Sequence, residues 1–234
     1  NERNYEQLFE GVLNEKAVGD FSTSYLYSEK ASGNIYHDNP NSKIIICLRE
    51  PVSRAFSHYV MNLKKGYKVE NNFLSEIEYD FNLDKKGWGV NNLYIELGLY
   101  YNQVKRYMDT FPQKNIYILF FNELKKNPES VLKEISNFLN IRFTGISYGS
   151  EKQNKAAVPR SGKMVRIGNT KIGKTFKKLL PNFALNIYKK IMYKESLVPA
   201  LTYDMRKEAY KYFEDDISKL EILLNIELQE WKAK

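Results

Sequence analysis

Apolar residues along the chain follow two periods. Ile44-Ile-Ile-Cys-Leu48 is an unbroken, β-branched-rich run with Lys43 before it and Arg49 after it, the pattern of a strand buried in a parallel sheet. A second such run lies over 115–121, so residues 43–48 and 115–121 predict the two clearest strands. Elsewhere the period is helical. Val52, Phe56, Tyr59, Val60 and Leu63 mark one face of a helix with Pro51 in its first turn, where a fixed φ and a missing N–H cost least. Arg54, Ser57, His58 and Met61 fall off that stripe. Asn127-Pro128-Glu129 supplies an N-cap, an N1 proline and an early acid, followed by Val131, Ile135, Phe138 and Leu139 on one face. Thr202 can cap a last long helix with core positions Met205, Ala209, Tyr212, Phe213, Ile217, Leu220 and Leu224. Strands alternating with helices predict an α/β class, a central parallel sheet flanked by helices. Between Tyr67 and Asn92 the chain is polar and without a clean period, which fits a loop insertion or a short irregular helix. There Trp88 and Lys85 or Lys86 could contact a ligand, as aromatic and basic residues do in sugar sites, or Trp88 could fold over the core.

Composition narrows the class. At 234 residues the chain suits a single domain over 1–234, and 43% hydrophobic with 27% charged residues are globular values. The apolar runs are far too short for a membrane span, and no signal peptide is visible at the given start. Cys47 is the only cysteine, which excludes an internal disulfide and suggests a small buried hydrophobe. His37 and His58 are the only histidines, so no metal is expected. Absent disulfides and a Tyr-, Asn-, Lys- and Ile-rich microbial composition lead us to expect a cytoplasmic, bacterial protein.

The net charge of +8 is regional. Lys152 to Lys194 holds twelve Lys or Arg and no Asp or Glu, leaving the rest of the chain at −4. Such a stretch attracts anions such as a polyphosphorylated nucleotide, an anionic polysaccharide, nucleic acid or an acidic membrane surface; a solvated basic face is the plain alternative.

Arg49 at a strand end and Ser57 in the following helix read as a phosphate site. The guanidinium can fork onto one phosphate while the hydroxyl donates to another oxygen, and a helix N-terminus offers free N–H groups. An ordinary arginine and an ordinary helix serine are the competing reading. Arg54 would support the site or pair with a nearby acid. A second string, Gly168-Asn-Thr-Lys-Ile-Gly-Lys-Thr175, matches the phosphate-loop pattern G-x-x-x-x-G-K-[ST]. Its context is wrong for one, because the preceding segment is short and carries two basic residues where a buried strand is needed.

Arg49-x-Pro51-x-x-Arg54-x-x-Ser57-x-Tyr59 resembles the 3′-phosphate-binding motif of sulfotransferases that use 3′-phosphoadenosine 5′-phosphosulfate (PAPS), especially the glycan-modifying and bacterial branch. The resemblance continues through Gly19-Asp-Phe-Ser-Thr-Ser-Tyr25, Gly98-Leu-Tyr-Tyr-Asn-Gln103, Asn115 to Leu124, Asn127-Pro-Glu, Phe138-Leu, Asn154 to Ser161, and Leu201 to Trp231. It departs at the start, where the family opens with a strand and a Lys-x-Gly-Thr-Thr-like loop around the 5′-phosphosulfate. Such a unit needs about 30 residues, so an N-terminal segment is expected to be missing from the chain as given.

The resemblance implies a P-loop-NTPase-like sulfotransferase fold and metal-free transfer of a sulfuryl group from PAPS to a hydroxyl or amine, with a carbohydrate the expected acceptor, no nucleic-acid partner and no transmembrane segment. It assigns Asp20 as the catalytic base, though Asp20 could also cap the turn at Ser22 or Thr23. Arg49 and Ser57 would bind the 3′-phosphate, and Arg160, Ser161, Gly162 and Lys163 would form the later cofactor loop. The alternatives are a magnesium-dependent kinase or NTPase using 168–175, in which Lys174 would contact the β- and γ-phosphates, and a non-catalytic polyanion-binding module.

Overall fold

The computed structural model describes residues 7–67, 72–84, 86, 93–145, 158–159, 165, 170, 181, 183–184, 193–194 and 198–232. In chain order its elements are α1 (Ala31–Asp38), β1 (Ile44–Leu48), α2 (Pro51–Lys65), α3 (Phe73–Phe81), α4 (Tyr100–Thr110), β2 (Ile116–Phe120), α5 (Phe121–Lys126), α6 (Pro128–Phe138), β3 (Val158–Pro159), β4 (Tyr193–Lys194), α7 (Tyr203–Tyr210) and α8 (Glu214–Leu224). They fall into two compact units, Asn1–Leu48 with Gln103–Tyr148, and Arg49–Asn102 with Gly149–Lys234.

The first unit holds the parallel pair. Ile44 lies opposite Ile116 and the register runs to Leu48 opposite Phe120, so both predicted strands form and pair directly. α5 and α6 pack against β2. Tyr117 fastens the sheet to α6 by donating to Glu134 Oε2 at 2.7 Å and by packing its ring 5.5 Å from that of Phe138. α6 starts at Pro128 as predicted, but the Asn127 side chain makes no cap bond; its backbone carbonyl accepts from Val131 N–H instead.

β1 departs from expectation on one face. Ile46 and Leu48 are buried, whereas Ile45 and Cys47 are exposed. Successive side chains point to opposite faces, and among the described residues only one face of this strand is covered. Cys47 is therefore an exposed thiol, not the small buried hydrophobe its run suggested.

The second unit is built around α2. Val52 and Ala55 are fully buried and Tyr59 and Val60 nearly so, while Ser57 and Met61 face solvent, close to the predicted stripe. Burying a side chain such as Val52 contributes about 1.5–3 kcal/mol. The helix ends where Gly66 turns left-handed at φ 71° and its N–H returns to the Asn62 and Leu63 carbonyls, a Schellman-type stop. The polar stretch after Tyr67 yields a regular helix, α3, capped by Asn72 Oδ1 accepting from Ser75 N–H at 2.9 Å. It buries Glu76 and Asp80 along with Phe73 and Ile77.

The predicted last helix is two helices. Thr202 does cap the first, with Met205 N–H 3.2 Å from its hydroxyl. Phe213 N–H then bonds to the Tyr210 carbonyl at 2.8 Å, closing a tight turn over 211–213, and α8 restarts with Glu214, Asp215 and Asp216 in its first turn. Three acids favour a new N-terminus over a helix interior. The apolar stripe survives the break, since Ala209, Phe213, Ile217 and Leu220 are all buried.

Candidate functional site

Arg49 and Glu50 form the turn that enters α2. Glu50 is the N-cap, and both of its oxygens are used: Val52 N–H donates to Oε1 at 2.7 Å and Ser53 N–H to Oε2 at 2.8 Å. The free N–H groups expected at this helix start are thus satisfied by the chain's own carboxylate, which corrects the idea that they bind phosphate. What remains for an anion is side-chain chemistry.

Arg49 supplies it. Its backbone carbonyl accepts a hydrogen bond from the Tyr100 hydroxyl at 2.9 Å, so the residue is held from a second element. Partial burial pulls the guanidinium below its ordinary value, while Glu50 and Tyr100 act in the opposite sense. Arginine does not deprotonate in proteins, so this burial appears as an unfavourable desolvation that a bound anion relieves. Two turns into α2, Ser57 is exposed and off the buried stripe. Arg49, partly buried, and Ser57, exposed, thus belong to one turn-and-helix segment of the second unit.

Arg54 points inward. Its Nη2 donates to the Tyr94 carbonyl, its Nε has no hydrogen-bond partner, and burial again lowers its pKa against the fields of Tyr100, Asp80 and Glu96. Arg54 feels the charges of Arg49, Asp80 and Glu96, and its hydrogen bond goes to a backbone carbonyl. The surrounding polar core is dense. Tyr94 is fully buried and accepts from Asn62 Nδ2 at 2.8 Å, Asp80 accepts from Ile95 N–H at 2.8 Å, and Lys86 pairs with Glu96 at 2.5 Å. His58 lies against Tyr94, with ring centroids 4.8 Å apart.

Asp20 belongs to the first unit. It is exposed and accepts a hydrogen bond from the Tyr25 hydroxyl. The following turn takes its cap from Ser22, whose Oγ lies 3.2 Å from Ser24 N–H. The segment carrying Tyr25 is anchored to α4: Tyr107 donates to the Tyr25 carbonyl at 2.9 Å, and Arg106 Nη1 reaches the carbonyls of Leu26 at 3.3 Å and Ser28 at 3.1 Å.

Arg160, Ser161, Gly162 and Lys163 lie outside the described residues, as do Lys85, Trp88 and all of the loop at 168–175 except Thr170. The strand just before that cofactor loop is described: Val158–Pro159 pairs antiparallel with Tyr193–Lys194 and lies against α2. Sequence reasoning missed Glu50, Tyr100 and Arg206. Arg206, from α7, pairs with Glu50 Oε2 and donates from Nη2 to Ser53 Oγ at 3.1 Å. Glu50 had a signal, an acid just before an N1 proline; Arg206 had none, being 156 residues away.

The described residues combine a parallel strand pair with helices, the architecture of an α/β fold. The family model described as "Sulfotransferase domain" matches residues 33–217, and the chain belongs to that family. Asp20 precedes the matched segment. A solved sulfotransferase from Alicyclobacillus acidocaldarius shares the fold with a TM-score of 0.71 at 25% identity, covering 99% of this chain and 74% of that one. Heparan sulfate glucosamine 3-O-sulfotransferase 5 of Mus musculus is 28% identical over 122 residues, 51% of this chain and 35% of its own length. Heparan sulfate glucosamine 3-O-sulfotransferase 6 of Homo sapiens is 21% identical over 138 residues, 59% of this chain and 39% of its own. The chain therefore spans well under half the length of the curated relatives it matches.

Proposed function

We propose that this protein transfers a sulfuryl group from PAPS to a hydroxyl or amine of a carbohydrate acceptor. One observation supports the reading: Arg49, half-buried and held through its backbone by Tyr100, stands at the entry to α2, and Ser57 is exposed two turns into the same helix. That donor set suits a phosphate monoester, which takes a forked guanidinium and a hydroxyl together. The 3′-phosphate of the donor is such a group, and ATP lacks it.

Bound at this site, the donor supplies an activated sulfuryl group on its 5′-phosphate. Arg49 and Ser57 hold the 3′-phosphate and so fix the nucleotide. Asp20 takes the proton that the acceptor gives up as its oxygen or nitrogen forms the new bond to sulfur and the bond from sulfur to the 5′-phosphate breaks. Arg160, Ser161, Gly162 and Lys163 complete the phosphate clamp, and the basic stretch from Lys152 to Lys194 draws an anionic donor or acceptor. A carbohydrate acceptor is supported by relatives whose names specify heparan sulfate glucosamine. No helix among the described residues is long and apolar enough to cross a membrane.

Calorimetric titration with 3′-phosphoadenosine 5′-phosphate, against ADP and against ATP with magnesium, tests the donor. Binding that requires both the 3′-phosphate and Arg49, and is lost in Arg49→Ala, is the expected result; preference for ATP with magnesium overturns it. Transfer of radiolabelled sulfate from PAPS to a panel of desulfated glycosaminoglycan oligosaccharides tests the acceptor.

A further inference from the structure

Asp216 serves a helix that is not its own. Of the three acids in the first turn of α8, Glu214 and Asp215 are exposed, and Asp215 pairs with Lys219 at 2.5 Å. Asp216 is half-buried and meets the start of α4, 115 residues earlier, where the Tyr101 N–H donates to Oδ1 at 3.2 Å and to Oδ2 at 3.1 Å. Burial pushes its carboxyl above the ordinary value, while the N–H groups of Tyr101 and Tyr100 pull it back. A helix start leaves N–H groups without intrahelical acceptors, and the residue before α4 is Leu99, whose side chain cannot accept a hydrogen bond. From α8, Asp216 supplies the cap that the local sequence lacks.

The first residue of α4 is Tyr100, and it reaches the donor site. Its hydroxyl donates to the Arg49 carbonyl at 2.9 Å, and its ring packs 6.0 Å from that of Trp231. Asp216, Tyr100 and Arg49 all belong to the second unit. They form a relay in which a carboxylate fixes a helix start, the first residue of that helix fixes a carbonyl, and the carbonyl belongs to the arginine assigned to the 3′-phosphate.

We infer that Asp216 is a positioning residue for the donor site, which acts through Tyr100 by capping α4 and so sets the backbone from which the Arg49 side chain projects. This inference rests on the assignment of Arg49 to that phosphate. Without the Asp216 carboxylate, the N–H groups of Tyr100 and Tyr101 lose their acceptor, and helices fray from their first residue. The Tyr100 hydroxyl then loses its fixed approach to the Arg49 carbonyl.

The test is a double-variant cycle read with two ligands, 3′-phosphoadenosine 5′-phosphate and adenosine 5′-phosphate, titrated calorimetrically into the 234-residue chain. The ratio of their dissociation constants reads the 3′-phosphate contribution. Asp216→Ala should reduce that ratio about three- to tenfold, the size of one hydrogen bond in the relay, with adenosine 5′-phosphate affinity unchanged. In a Tyr100→Phe background, which has already lost the hydroxyl, Asp216→Ala should change the ratio by less than about twofold, because residues acting in series are not additive. Asp216→Asn keeps an acceptor at the start of α4 and should hold the ratio within about twofold of the parent. A cap that only stabilises the fold would lower the urea midpoint when removed and leave the ratio untouched. An unchanged ratio in Asp216→Ala, equal weakening of both ligands, additive losses in the double variant, or a loss in Asp216→Asn as large as in Asp216→Ala overturns the inference. Should Asp216→Ala not fold, Asp216→Ser, with a shorter acceptor, takes its place in the cycle under the same expectations. Failure of the donor assignment itself looks different: the parent chain would show no preference between the two ligands, and Arg49→Ala would change nothing.

Discussion

A Cβ placed on Gly98 would lie 2.8 Å from Cε1 of Phe213 and 3.4 Å from both Arg54 Nε and Pro51 Cβ. Phe213 is fully buried in the turn between α7 and α8, so its ring cannot give way cheaply. Glycine is required at 98 by close approach, which lets the turn over Glu96–Gly98 sit against the start of α2. Gly98→Ala should destabilise the protein by about 1–3 kcal/mol, the usual penalty of overpacking, read as a lower urea midpoint at unchanged slope. Stability within a few tenths of the parent would show that the contact yields.

Tyr100 is 4% exposed, donates to the Arg49 carbonyl at 2.9 Å and packs its ring 6.0 Å from that of Trp231. Burial pushes its phenol up to about 12, so it stays a hydrogen-bond donor at any working pH. Tyr100→Phe keeps the packing and removes only the donor. We expect a stability loss of about 0.5–1.5 kcal/mol and a weakening of 3′-phosphoadenosine 5′-phosphate binding of roughly three- to tenfold, by calorimetry. Unchanged binding would mean that the Arg49 backbone needs no second anchor.

Asp80 is fully buried, and burial pushes its carboxyl up to about 6, against the opposing effects of the Ile95 N–H at 2.8 Å and Lys86 at 3.9 Å. Glu96 adds a like charge, and Arg54 lies within reach of both acids. An unfolded aspartate titrates near 3.9, so between these values the folded protein binds more protons than the unfolded chain. The favourable term is complete below about pH 4 and is lost as pH rises through about 6. Relative to pH 4, this group should lower stability at pH 7 by roughly 2–3 kcal/mol. Asp80→Asn should abolish that dependence, so the stability difference between variant and parent should move in the variant's favour from pH 4 to pH 7 in urea titrations. A difference that does not change with pH would contradict the assignment.

The elements that could be read in advance are those set by local chemistry. Pro51 and Pro128 start helices because their φ suits N1, Thr202 caps because its hydroxyl reaches Met205 N–H, and the β-branched runs form strands. Features fixed by partners distant in sequence could not be read. Whether Cys47 or Leu48 faces inward depends on which side of β1 is covered, and an all-apolar run is silent on that. α3 was obscured because Glu76 and Asp80 occupy its buried face, where a hydrophobic period would be sought. The same holds at the site. Arg49 and Ser57 stand out as a short-range motif, whereas the Glu50, Tyr100 and Arg206 contacts that hold it depend on the folded chain.

The assignment of Asp20 as proton acceptor makes a separable prediction. Asp20 is exposed and receives the Tyr25 hydroxyl, while the Tyr25 carbonyl is held by Tyr107 at 2.9 Å and the next turn by Arg106. This chain of contacts reaches the carboxylate from α4 without burying it, as its proposed role requires. Asp20→Asn is nearly isosteric and can still accept from Tyr25, but it cannot take a proton. It should lower kcat for sulfuryl transfer by about 10²–10⁴ and leave 3′-phosphoadenosine 5′-phosphate affinity unchanged. Tyr25→Phe removes one contact to the carboxylate and should lower kcat by a smaller factor, about tenfold or less. Retention of kcat within a few-fold in Asp20→Asn would place the base elsewhere, and a parallel loss of nucleotide affinity would mean that Asp20 supports the donor site instead of the acceptor.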